Sequence, residues 1–191
     1  MSRLQLQTIE SAADDAKARL ETAQKNNGFL PNLVRLLANA PTALETYQTV
    51  SAINGRASLT LAERETVQIT AAVVHGCGFC VAGHSAIADK KARLGSDVIT
   101  ALRDRVGVPD ARLDAVARFT EAVIATRGAV ADVDLAAFRA AGFDDQGALE
   151  VVLGVSLATL CNFANNLGQT ELNPELATYE WNGPSNPVAA E

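Results

Sequence analysis

The chain is poor in aromatic residues: Phe, Trp and Tyr make up 5% of 191 positions, with a single Trp. No stretch sustains an alternation of apolar and polar residues, which excludes a sandwich or barrel built from period-two strands. A basic excess is also missing. Lys and Arg total 16 against 22 Asp and Glu, a net charge of −6, which argues against a nucleic acid or an anionic membrane as partner. The longest apolar run, Val151 to Cys161, falls well short of the ~18 residues a spanning helix requires. The opening Met1-Ser2-Arg3-Leu4-Gln5 shows no apolar core of a secretory signal. Cysteine is scarce and odd in number, three in all. That does not suit a secreted disulfide framework; it fits a cytoplasmic location with thiol chemistry open. No repeat, low-complexity tract or long linker interrupts the chain. One domain over residues 1–191 is expected, with a helical arm at 1–27, a tail at 174–191 and enough length to bury a core.

Alanine is abundant, and its helix propensity is the highest of all residues, so the expected class is all-α. Ser11-Ala12-Ala13-Asp14 reads as a helix start, with Asn27-Gly28 as its stop. Pro31 and Pro41 each open a helix, since proline suits a first turn whose N–H is unused; Gly55 stops the second. Thr60-Leu61-Ala62-Glu63 is a capping box and starts a helix predicted to run from Leu61 to His75 and break at Gly76. The next is expected from Cys77 or Gly78 to Gly95. A short helix capped by Ser96 or Asp97 follows, then one opened by Pro109 and ending at Gly128. Asp132 or Asp134 leads a short helix to Gly142. Asp144 caps a long apolar helix ending at Gly168. From Asn173-Pro174 the tail reads as loop, disordered after Pro184.

One segment stands apart. Both histidines and two of the three cysteines lie in His75-Gly76-Cys77-Gly78-Phe79-Cys80-Val81-Ala82-Gly83-His84. On a helix, Cys77, Cys80 and His84 share an arc of about 60°. Cys80 and His84 are four apart, so their side chains meet; Cys77 and Cys80 are three apart, a spacing a disulfide can close. If the flanking helices form an antiparallel hairpin about Gly76, Glu65 and His84 differ in register by three residues, or ~4.5 Å. A glutamate side chain covers that. Glu65 would then orient His84, and His84 would take the Cys80 proton: an activated nucleophile with base and orienter. Cys77 is near enough to resolve a sulfenic acid on Cys80. Helix-dipole reasoning alone favours Cys77 as the acidic thiol; the His84 pairing favours Cys80, which we take as the attacking sulfur.

The spacing Glu65, eleven residues, Cys77, two residues, Cys80, three residues, His84 resembles the motif of the alkylhydroperoxidase D and carboxymuconolactone decarboxylase superfamily. Pro31-Asn32-Leu33, Ala40-Pro41, Leu59-Thr60, Ala82-Gly83-His84-Ser85 and Asn162-Phe163-Ala164-Asn165-Asn166 resemble further landmarks of that family. Thr170-Glu171-Leu172 resembles its peroxidase-related branch. The likeness spans roughly residues 28–175. It implies an all-helical fold around an antiparallel pair carrying the Cys-x-x-Cys motif, assembled as a trimer, hexamer or related homo-oligomer. It also implies a thiol peroxidase: Cys80 attacks a hydroperoxide, Cys77 resolves it, and Glu65 and His84 relay the proton. Such a cycle needs no bound cofactor or metal, only an external dithiol protein or small thiol as reductant. Two departures are Gly78-Phe79 between the cysteines, where the namesake peroxidase carries a histidine, and Asn166, near which related sequences often carry one.

Other readings of the same residues stand beside this one. Cys77 and Cys80 are small enough to be plain core, and with His75 and His84 they are zinc-type ligands, though crowded around one helix start. A ring-acid decarboxylase needs no thiol pair, and a non-enzymatic redox sensor would oxidise without turning over. Cys161 reads as core, Glu63 as a cap, and His75 as a helix C-terminal residue. Asn162 and Asn165 are expected to satisfy buried groups, and Phe79 and Phe163 to pack. Tyr179 and Trp181 should dock on the core or on a neighbouring subunit.

Overall fold

The computed structural model describes residues 2–183 of the chain and is all helical over them. The elements are α1 (Asp14–Asn27), α2 (Asn32–Leu37), α3 (Pro41–Asn54), α4 (Leu61–Val74), α5 (Gly78–Lys90), α6 (Ser96–Asp104), α7 (Ala111–Thr126), α8 (Asp132–Ala140) and α9 (Asp145–Gly168), then a 3-10 helix, Pro174–Tyr179. Among the described residues there is no strand.

Helix α4 is the axis of the fold. It packs against α5, α6, α7 and α9, and every residue from Glu65 to Val73 is buried. A helix enclosed all round is a core helix rather than a surface one. Its start is the expected capping box. The Glu63 N–H donates to Thr60 Oγ1 at 3.3 Å, and the Thr60 N–H donates to Glu63 Oε2 at 2.7 Å. The other Glu63 oxygen accepts from Arg112 Nε at 2.6 Å, which ties α4 to α7.

The end of α4 decides the rest. Gly76 has φ 65°, the left-handed conformation that only glycine takes without cost. The Gly76 N–H donates to the Val73 carbonyl at 3.0 Å and the Cys77 N–H to the Ala72 carbonyl at 2.8 Å. These paired bonds are a Schellman closure. They reverse the chain within three residues and lay α5 antiparallel on α4.

Two apolar clusters surround this pair. One joins α1, α2, α5 and α6 through Leu20, Leu33, Ile69, Val81 and Leu102. Leu20 and Ala16 are fully buried there, so the N-terminal helix is part of the core. The second lies between α7, α8 and α9, where Phe138 stacks between Phe119 and Phe143 at centroid distances of 4.2 and 4.3 Å.

Several boundaries differ from expectation. α5 ends at Lys90 rather than Gly95: the Leu94 N–H turns back to the Ala88 carbonyl, and Arg93 takes φ 59°. Gly95, not Ser96 or Asp97, is the N-cap of α6, with no side-chain cap. Asp110 caps α7 by accepting the Arg112 and Leu113 N–H groups, so Pro109 lies ahead of the helix. The tail expected as loop forms the 3-10 helix at Pro174; the residues after Pro184, expected to be disordered, lie outside the described ones. Gly168 does not supply the left-handed stop of α9; Gln169 does, with φ 47°. Gly168 is needed for packing instead, because a Cβ there would sit 2.8 Å from Leu36 Cδ1. By length and composition α9 is apolar enough to cross a membrane, unlike the short run read from the sequence. It packs on α2, α3, α4, α5 and α7.

Candidate functional site

The antiparallel pair brings the two halves of the motif together. Glu65, two turns before the α4 terminus, accepts from His84 Nδ1 through Oε2 at 2.8 Å. Glu65 is buried and His84 half-buried. With Nδ1 committed to the carboxylate, the His84 ring nitrogen that remains for chemistry is Nε2.

Cys77 is the N-cap of α5 and Cys80 lies one turn inside it. Both are buried free thiols. The neighbouring Cys80 thiol lowers the Cys77 pKa most; burial opposes it, and the Cys80 backbone N–H, His84 and Asn165 add to the lowering. Cys80 is pushed well above the usual thiol value, first because it holds the proton shared with Cys77 and then by burial. At rest, the pair therefore gives up its first proton from Cys77, the outcome of the helix-dipole argument. His84 is raised above the usual imidazole value: burial opposes its charge, but the Glu65 carboxylate and a Cys77 thiolate outweigh that. The site so gathers two thiols, an imidazole and a carboxyl group, with Cys77 and His84 each shifted toward its charged form.

Helix α9 contributes a polar stripe that the sequence reading treated as structural. Asn165 Nδ2 donates to Cys80 Sγ at 3.2 Å, while its buried Oδ1 has no hydrogen-bond partner. Asn162 Nδ2 meets His75 Nδ1 at 3.0 Å and Asn166 Nδ2 donates to the His75 carbonyl at 2.8 Å. The α4–α5 turn is thus clamped from one face by three asparagines. His75 packs edge-on against Phe163 at 5.0 Å and is kept neutral by burial. Among the described residues no three His, Cys, Asp or Glu side chains converge in a metal-holding group.

The two thiols open in different directions. Cys80 and His84 line a cavity of about 560 Å³ between α5, α3 and the segment Gly28–Leu33. Cys77 lines a smaller recess with Asn165, Asn166 and Thr170. Tyr47, absent from the sequence reading, sits in the Cys80 cavity. Burial raises its pKa most, and the charges of Cys161, Cys80 and Glu65 add to that, so its phenol stays protonated. Nothing around Tyr47 in the sequence distinguishes it from a packing residue on an amphipathic helix. Cys161 is buried in α9 and pushed up to about 12, mainly by burial, so it is inert beside the pair.

The C-terminal strap covers the α5 start. Trp181 packs on the core cluster, and its backbone oxygen lies 3.0 Å from where a Cβ on Gly78 would be. The Tyr179 hydroxyl donates to Asp89 Oδ2 at 2.5 Å. Glycine between the cysteines is what lets the strap pass. The expected docking of these aromatics is therefore onto their own chain.

The profile of the carboxymuconolactone decarboxylase family matches residues 39–141, more than half of the chain. Thirteen solved chains match in structure. One is the alkylhydroperoxidase AhpD core of an uncharacterized peroxidase-related protein from Ralstonia eutropha JMP134. It has a TM-score of 0.83 at 24% identity, covering 92% of this chain and 94% of that one. An uncharacterized peroxidase-related protein from Silicibacter sp. TM1040 has a TM-score of 0.79 at 19% identity, covering 92% and 93%. The debrominase Bmp8, in its apo form, has a TM-score of 0.71 at 15% identity, covering 93% and 94%. At these identities the likeness establishes the fold. A search of the curated proteins finds no match.

Proposed function

The chain belongs to the carboxymuconolactone decarboxylase family, and from that premise we propose that it is a thiol-dependent hydroperoxide reductase of the alkylhydroperoxidase D kind. The observation that carries this reading is the Glu65–His84 hydrogen bond at 2.8 Å beside two buried free thiols, one of which opens on a largely apolar cavity.

Cys77 is the more acidic thiol and Cys80 keeps its proton longer. Passing the Cys80 proton to a Cys77 thiolate leaves the charge on Cys80, on the cavity side, where Asn165 Nδ2 donates to the sulfur. The Cys80 sulfur attacks the outer peroxide oxygen, the O–O bond breaks, and the departing alkoxide takes a proton from His84 Nε2. Glu65 stabilises the imidazolium beforehand and orients it. Tyr47, protonated and facing the same cavity, donates a hydrogen bond to the departing oxygen. Cys80 is now a sulfenic acid. Cys77 attacks it, the disulfide forms, and the hydroxide leaves as water with the Cys77 proton. An external dithiol returns both thiols. The cycle requires no bound cofactor or metal.

We further propose a homo-oligomer, trimer or hexamer, closed by the outer face of α9. Leu149, Val152, Phe163 and Leu167 are 70%, 44%, 56% and 60% exposed there, a run of apolar side chains along one helix that a single chain leaves in water. A reducing compartment, the cytoplasm, suits thiols that must be recycled.

The test is a thiol count and peptide map of the reduced protein before and after one equivalent of an organic hydroperoxide. Loss of two thiols at Cys77 and Cys80, with Cys161 intact and steady turnover when a dithiol is added, is expected. Full peroxide consumption by Cys80→Ser refutes the mechanism.

A further inference from the structure

The cavity that meets Cys80 continues well past the sulfur. Its floor is one stripe of α5 and its C-cap: Cys80, His84, Ile87 and Lys91 all line it. These positions are spaced by four, three and four residues, so they fall within about 60° of one another on the helix. From His84 to Lys91 the floor extends roughly 10 Å along the axis. Its walls are apolar, formed by Phe29, Leu33, Tyr47, Phe79 and Leu176.

The two ends differ in chemistry. The inner end holds the reacting thiol, the imidazole and the phenol. The outer end holds the exposed ammonium groups of Lys90 and Lys91, with Glu175 as the acidic side chain on the opposite lip. Lys90 Nζ lies 5.3 Å from the centre of the Tyr179 ring, a contact that favours the charged amine. In a chain of net charge −6, the mouth of this cavity carries two cations against one anion. A small neutral peroxide would use only the inner end and leave the apolar walls wet. The cavity, at about 560 Å³, is of the size that encloses a small organic ligand.

Resting on the peroxidase reading, we infer that the substrate is an amphipathic organic hydroperoxide with a carboxylate at its far end. The peroxide lies at Cys80 and His84, the acyl or aryl body lies along Ile87 and Phe79, and the carboxylate pairs with Lys91 and Lys90. Orientation follows from the asymmetry. The peroxide must reach Cys80, which lies at the inner end, and the two lysines lie at the other, so the reverse pose would hold the peroxide away from the sulfur. The lysines are positioning residues, remote from the breaking bond, so they act on binding rather than on the chemical step.

Two measurements separate this proposal from the reading beneath it. In calorimetry with the reduced protein, decanoate is expected to bind about tenfold tighter than decanol, the worth of one well-placed charge pair. Lys90→Gln/Lys91→Gln removes the difference while decanol binding is kept. In turnover, ω-hydroperoxydecanoate is expected to show a lower KM than its methyl ester, and the double variant raises KM about tenfold for the acid alone, with kcat unchanged. Equal affinity for decanoate and decanol, or an acid and ester with equal KM, overturns the carboxylate assignment and leaves the peroxidase reading standing. Selective decanoate binding without consumption of any hydroperoxide overturns the peroxidase reading and leaves the anion-ended cavity standing.

Discussion

Replacing Glu65 by Gln tests the central electrostatic claim, because it keeps the shape of the side chain and removes its charge. The carboxylate meets His84 Nδ1 at 2.8 Å and is itself buried. A hydrogen bond to a charged partner contributes about 1.5–3 kcal/mol. Losing it shifts the imidazole equilibrium toward the neutral form. The variant should fold, since Gln can still bond to the ring, but its His84 should titrate at lower pH than in the parent. At about 1.4 kcal/mol per factor of ten, an imidazolium destabilised by that amount is a rarer donor and lowers peroxide turnover roughly ten- to a hundredfold. The effect should fall on kcat/KM, because His84 acts when the O–O bond breaks. Stability carries a sign that can be checked independently. His84 is raised in the folded state, so its pairing stabilises the protein fully below the ordinary imidazole value. That contribution is lost as pH rises through the raised value. Chemical denaturation should therefore show the parent ahead of the variant at about pH 6, near the ordinary imidazole value, with the gap closing under alkaline conditions. The assay is an NMR titration of the two histidines, with His75 as the internal control. An unmoved His84 midpoint, or a stability gap that widens with pH, would refute the reasoning.

Three other outcomes are expected. Alkylation by iodoacetamide should begin at lower pH for Cys77 than for Cys80, mapped by mass; the reverse order would mean that the shared proton rests on Cys77. Gly154→Ala puts a Cβ 2.9 Å from Val67 Cγ1 and 3.5 Å from Gln68 Nε2. Overpacking of about 1–3 kcal/mol should outweigh the helix-propensity gain of up to ~1 kcal/mol and lower Tm by several degrees in calorimetry. Glu150 accepts from the Ser58 and Leu59 N–H groups and from Ser58 Oγ. Partial burial opposes its charge, but these bonds hold its pKa down at about 2. Its contribution, on the order of 1–2 kcal/mol for solvent-screened bonds, is present above the ordinary carboxylate value and lost as pH falls toward 2. Glu150→Gln should thus unfold earlier in denaturant at neutral pH and match the parent in strong acid.

Local chemistry was readable in the sequence wherever one or two neighbouring residues suffice. The Thr60–Glu63 box, the Gly76 reversal and the Asp144 cap each depend on atoms within five positions of one another, and each occurs where the residues place it. The Glu65–His84 meeting was readable for the same reason: a glycine-closed turn fixes the register of the two helices it joins, and counting residues does the rest. Helix ends that use left-handed Arg93, Arg105, Arg127 and Gln169 were not, because nothing in a side chain of that kind announces the conformation; packing on either side imposes it. Tertiary structure alone decided three things about the site. It brought Asn165 from α9 onto the Cys80 sulfur, 85 positions away in the chain. It placed Tyr47 and the Gly28–Leu33 segment over one thiol rather than the other. It also set the two cysteines apart, drawing Cys77 below and pushing Cys80 above the usual thiol value, where the sequence left two opposed arguments. Spacing along a chain fixes contacts within a helix hairpin; the dielectric and the cavity around it come from elements that no spacing connects.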